Sequence, residues 1–90
     1  MNKTDVIEEH RKFLVENQEI IASVIENYGF SIIYLEWQTP YVSSCSWVFK
    51  VFDLTTQIER CVRADYDFGR KKLYFFLIQK NSRQRRKCLE

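Results

Sequence analysis

The sequence predicts an α+β domain in which one long N-terminal amphipathic helix packs on a four-stranded antiparallel meander sheet. Three observations carry that expectation. Apolar residues recur at helical spacing as far as Gly29, they recur at period two and become β-branched and aromatic beyond it, and the later segments are joined by short polar connections. One helix followed by strands on short links favours an antiparallel sheet, because parallel strands need long crossovers.

The helical segment comes first. Val6, His10, Phe13, Ile20 and Val24, flanked by Ile7, Leu14, Ile21 and Ile25, follow the i, i+3, i+4, i+7 spacing of an amphipathic helix. Thr4 or Asn2 can cap its start, and Asp5, Glu8 and Glu9 lie near the positive end of its dipole. Gly29 can end it in the left-handed conformation that glycine tolerates best. The polar patch Glu16-Asn17-Gln18-Glu19 leaves a second reading open, a break at which Asn17 caps another helix.

Four segments supply the sheet. Phe30 to Gln38 and Cys45 to Leu54 read as strands around a loop at 39–44, where Pro40, Ser43 and Ser44 interrupt the pattern. Ile58 to Tyr66 follows the turn Thr55-Thr56-Gln57, and Asp67-Phe68-Gly69-Arg70 turns the chain into Lys72 to Lys80. Residues 1–80 then make a single domain. Residues 81–90 read as a basic, flexible tail whose final Leu89-Glu90 has the look of a cloning remnant.

The sheet is wider than its cover. Four strands at about 4.8 Å spacing span about 19 Å, whereas one helix is about 10–12 Å across. Strict alternation places Phe30, Ile32 and Tyr34 on one side of the first strand and Ile33, Leu35 and Trp37 on the other. The fourth strand likewise carries Leu73, Phe75 and Leu77 opposite Tyr74, Phe76 and Ile78. The third, by contrast, alternates as a half-wet strand should, with Glu59, Arg63 and Asp65 opposite Ile58, Val62 and Ala64. A second layer is therefore expected from outside the chain, another copy or a partner protein, or from a further segment of it; strong curling of the sheet, or a short helix at Asn81 to Lys87 laid over the second face, is the internal alternative.

Composition narrows the function classes. Ninety residues with 46% hydrophobic and 29% charged side chains, two glycines and one proline make one ordered domain, neither disordered nor collagenous. No apolar run approaches the ~20 residues of a membrane helix, and Asn2-Lys3-Thr4-Asp5 opens no signal peptide. Cys45, Cys61 and Cys88 are odd in number and far apart, which suits reduced thiols and a cytoplasmic location.

Charge is divided along the chain, net −4 over residues 1–40 and net +6 over 41–90. Arg70, Lys71 and Lys72 precede the last strand, and Lys80, Arg83, Arg85, Arg86 and Lys87 follow it, with Tyr74, Phe75 and Phe76 between. Basic clusters around aromatics are one footprint of a nucleic-acid surface, and this is the alternative function. A solvated hairpin turn and a solubilising tail account for the same charges.

Candidate chemistry is sparse. Cys45, Cys61, Cys88 and His10 have no metal-ligand spacing, so no metal or other cofactor is expected. A Cys61–His10 nucleophilic pair lacks a third orienting group. Asp65 and Asp67 would lie on one side of a regular strand as a carboxylate pair. Asp67 is better used in the turn before Gly69, and Asp65 in pairing with a cross-strand Arg or Lys. Two isolated glycines exclude a phosphate-binding loop.

With no convergent catalytic set and no small-molecule site evident, the leading expectation is a non-catalytic protein-binding module. It would be a small adaptor, inhibitor or immunity-type protein, homodimeric on its own, that buries a spare aromatic sheet surface against its partner. Trp37, Tyr41, Tyr74 and Phe76 are the candidate contacts, with flanking Arg and Lys steering an acidic partner. Trp47, inside the second strand, is expected in the core.

Overall fold

The structure, a computed structural model, describes residues 2–78. One helix, α1 (Lys3–Asn27), is followed by strands β1 (Phe30–Pro40), β2 (Ser44–Asp53), β3 (Ile58–Asp67) and β4 (Lys72–Ile78). The strands form one antiparallel sheet in the order β1-β2-β3-β4, the expected meander. The expected tail at 81–90 lies outside the described residues.

α1 is continuous. Asn2 caps it, its side-chain oxygen accepting from the Asp5 N–H at 3.0 Å. Asn17 does not interrupt the helix, because its amide donates to the Phe13 carbonyl at 2.9 Å, one turn back. The chain leaves the helix at Gly29, whose φ of 98° few other residues adopt and whose N–H donates to Glu26 O.

The core lies between α1 and the inner face of the sheet. Leu14, Ile21 and Ile25 of the helix pack with Cys45, Trp47, Phe49 and Val51 of β2 and Val62 and Ala64 of β3. At the helix's N-terminal half, the His10 ring stacks on Phe68 at 3.8 Å and Phe13 stacks on Tyr66 at 5.2 Å. His10 Nδ1 lies 2.7 Å from the Tyr41 carbonyl, which can only accept, so this nitrogen carries the proton and ties the helix to the β1–β2 loop. That loop is shorter than the sequence suggests, because Thr39 and Pro40 continue β1 opposite Ser46 and Cys45.

Strict alternation fails on β1, and the correction matters for the surface. Its eleven residues pair with a shorter run of β2 through register shifts between Ile32 and Tyr34 and between Leu35 and Trp37. Each shift inserts one extra residue, Ile33 and then Glu36, and so reverses the side on which the following residues point. Leu35 therefore packs on the core beside Phe30 and Ile32, while Tyr34 joins Trp37 on the outer face.

The two tight hairpins share one turn chemistry. Asp53 Oδ1 accepts from the N–H groups of Thr55 and Thr56 at 2.9 and 3.3 Å, and Asp67 Oδ1 accepts from Gly69 and Arg70 at 2.9 and 3.1 Å. In each turn the fifth residue bonds back to the aspartate carbonyl at 2.7 Å, and in each that residue, Gln57 or Lys71, has positive φ. An L-residue in that conformation costs roughly 1–2 kcal/mol, partly offset in the unfolded chain when glycine replaces it. Gln57→Gly and Lys71→Gly are each expected to raise Tm by about 3 °C in a thermal melt, as a net gain of about 0.5 kcal/mol implies.

The width mismatch leaves a visible gap. α1 packs mainly on β1 and β2. Beside its C-terminal end, the inner face of β3 and β4 opens into a groove of about 470 Å³ lined by Ile25, Tyr28, Val62, Phe75 and Leu77, among others. Tyr28 closes one side of it, edge-on to Phe75 at 5.7 Å.

Candidate functional site

The outer face of the sheet is built in cross-strand rows. In one row Trp37 of β1 pairs with Val48 of β2, Val48 with Arg63 of β3, and Arg63 with Phe76 of β4. In the next, Ser46 pairs with Asp65, and Asp65 with Tyr74. The centre of this face is largely polar, because β2 and β3 contribute Ser46, Lys50, Glu59, Arg63 and Asp65 to it around the buried Val48 and Cys61. The aromatic surface expected from the sequence is thus divided into two margins, Tyr34 and Trp37 on β1 and Tyr74 and Phe76 on β4.

Arg63 organises the region between them. Its Nε donates to Asp65 Oδ1 at 2.9 Å, and Ser46 Oγ donates to the same oxygen at 2.6 Å. Asp65 therefore pairs along its own strand and with a cross-strand serine, not with a cross-strand Arg or Lys as the alternation suggested. The Arg63 guanidinium lies 5.6 Å from the centroid of the Trp37 ring, within cation–π range. The Asp65 hydrogen bond and charge, together with the Tyr41 hydroxyl, hold this guanidinium above its ordinary pKa despite the solvation it loses.

All four predicted contact residues belong to this neighbourhood. Trp37 is 38%, Phe76 41% and Tyr41 41% exposed. Tyr74 is half-buried beside Arg70, whose guanidinium is raised in pKa chiefly by a hydrogen bond to the Tyr74 hydroxyl. Trp47, by contrast, is fully buried, as its position inside β2 suggested. Sequence reasoning placed Glu59, Arg63 and Asp65 on the outward side of β3, as found, and missed Ser46 beside them and the place of Tyr34, which is 52% exposed on the outer face. The available signal for Ser46 was a single polar residue between Cys45 and Trp47 in an otherwise apolar stretch of β2.

The basic cluster is only partly placed. Arg70, Lys71 and Lys72 are exposed on the β3–β4 hairpin. Lys80, Arg83, Arg85, Arg86 and Lys87 lie outside the described residues.

The candidate catalytic pairings do not assemble. Cys61 points to the outer face, where its thiol donates to Glu36 Oε1 at 3.3 Å, whereas His10 sits on the helix across the sheet. Cys45, on the core side, donates to the His10 carbonyl at 3.3 Å, and burial pushes its pKa up to about 11, away from thiolate chemistry. Asp67 is committed to its turn and Asp65 to Arg63, so the two carboxylates do not form a free pair. Glu59 pairs with Lys50 at 3.4 Å. Burial lowers the Lys50 pKa, but neighbouring Cys61, Glu59 and Tyr34 outweigh it and leave this ammonium above its usual value.

No family model, no curated protein and no solved structure matches this chain. Among the described residues, no helix is long and apolar enough to cross a membrane.

Proposed function

We propose that this chain is a non-catalytic protein-binding module, an adaptor, inhibitor or immunity-type protein, whose contact surface is the outer sheet face. The observation that carries this reading is the Arg63 cluster: an arginine locked by Asp65, stacked on Trp37, and bordered by Tyr41, Tyr74 and Phe76. Trp, Tyr and Arg are the residue types that dominate binding hot spots. An arginine whose side chain is already held by Asp65, Ser46 and Trp37 loses little further freedom when a partner covers it. The thiols of Cys45 and Cys61 lie on opposite faces of the sheet and are not bridged to each other, which supports a reducing, cytoplasmic setting.

Self-association through this face is the first case to test. Light scattering behind size exclusion is expected to give a salt-insensitive dimer, and Phe76→Glu a folded monomer of half that mass. A buried charge would unfold a core site, but Phe76 is exposed and its replacement leaves the core intact. A wild-type chain that stays monomeric at every concentration removes self-association. The second reading, nucleic-acid binding, is supported by the exposed hairpin residues Arg70, Lys71 and Lys72. It predicts oligonucleotide affinity that falls steeply with salt.

A further inference from the structure

The two edges of the sheet are not equivalent. β1 carries bulges at Ile33 and Glu36, an exposed carboxylate at Glu36 and a proline at its end, the devices that keep an edge from pairing with another chain. β4 carries only the exposed Lys72 at its start. Its seven residues pair with β3 without a register shift, and Leu73 to Ile78 includes no charge, proline or glycine. Among the described residues no strand lies on its other side.

The groove beside the helix reaches that edge. Phe75, Phe76 and Leu77 all line it. Successive strand side chains point to opposite faces, so three consecutive residues share one groove only where it runs out to the strand's own margin. An added strand would find its main-chain partners on β4. Its alternate side chains would fall into the groove against Tyr28 and Leu77 on one face and beside Tyr74 and Phe76 on the other.

Charge selects the occupant. Arg70, Lys71 and Lys72 stand exposed at the start of β4, and no acidic residue follows the strand in sequence before Glu90. A second copy pairing in parallel would set the basic hairpin against itself. Like charges opposed across a strand pair are destabilising, so this edge disfavours its own copy in parallel and favours a segment with acidic flanks.

We propose that the open edge of β4 docks an extended, acid-flanked segment of a partner protein as a fifth strand. This deepens the protein-binding reading and rests on it, naming the partner's chemistry.

The full chain, isotopically labelled, is titrated with a peptide of alternating valine and threonine flanked by glutamates, and with the same peptide flanked by lysines. The glutamate peptide is expected to bind, to slow exchange of the outward-facing β4 amides, and to exceed the lysine peptide in affinity by about tenfold. R70E/K71E/K72E, confined to exposed positions of the β3–β4 turn and the first residue of β4, is expected to reverse the preference. The two peptides on the wild-type chain keep the test decisive even if that variant misfolds. Equal affinity for both peptides overturns the charge assignment, and protection at β1 overturns the edge. Protection confined to the outer face overturns the edge while leaving the protein-binding module standing. An oligothymidylate that binds more tightly than the glutamate peptide, and loses that affinity in R70E/K71E/K72E, overturns both in favour of nucleic acid.

Discussion

Trp47→Ala is expected to destabilise the protein by about 3–5 kcal/mol, the usual cost of deleting a buried aromatic. That is a large part of the roughly 5–13 kcal/mol that ninety residues normally provide. Trp47 is fully buried in the middle of β2, between Gln38 of β1 and Ala64 of β3, and its ring lies 6.4 Å from that of Phe13 on the helix. Its indole Nε1–H donates to the Leu14 carbonyl at 3.1 Å, so the same side chain fills the core and fixes the position of the helix along the sheet. Trp47→Phe keeps most of the apolar area and loses that bond, and is expected to cost less, about 1–2 kcal/mol. Urea unfolding distinguishes them: the midpoint should fall in that order at constant slope. A loss under about 1.5 kcal/mol for the alanine variant would mean that the sheet and helix hold together without it.

Acid is expected to weaken the fold through Asp53. This carboxylate is almost buried at the end of β2, with Oδ1 accepting from Thr55 and Thr56 and Oδ2 receiving Arg60 Nε at 3.0 Å. Burial raises its pKa, but the Thr56, Thr55 and Arg60 hydrogen bonds together outweigh burial and hold it below the ordinary carboxylate value. A depressed folded-state pKa contributes stability that is fully present above the unfolded value of about 3.9 and is lost as pH falls through the folded one. Tm should therefore be flat above about pH 5 and decline below about pH 4. Asp53→Asn is expected to lower Tm at neutral pH by about 5–10 °C and to flatten that acid decline. An unchanged acid profile in the variant would assign the decline to other carboxylates.

Much of the fold was legible in the residues because its causes are local. The helical stripe ending at Gly29, the period-two segments and the aspartate-led turns each depend on a few neighbours in sequence. The order of strands follows from connections too short for any crossover. Trp47 could be assigned to the core, and Trp37, Tyr41, Tyr74 and Phe76 to the surface, from their positions relative to strand ends and edges. The polar centre was harder to read. Asp65 next to an arginine two positions away looks like a residue awaiting a cross-strand partner, and only the pairing of β2 with β3 brings Ser46 to the same oxygen.

The sequence by itself determined the type and order of the elements, the turns that join them, and the shortage of helix to cover the sheet, while leaving open whether the helix breaks at Asn17. The tertiary structure decided which side of β1 faces outward and which residues meet there. A bulge is a relation between two strands, and β1 carries two, so the placement of Tyr34 and Leu35 is invisible to alternation within a single strand. Arg63 reaches its role the same way, because Trp37, Ser46 and Phe76 come from three other strands and become its neighbours only through register.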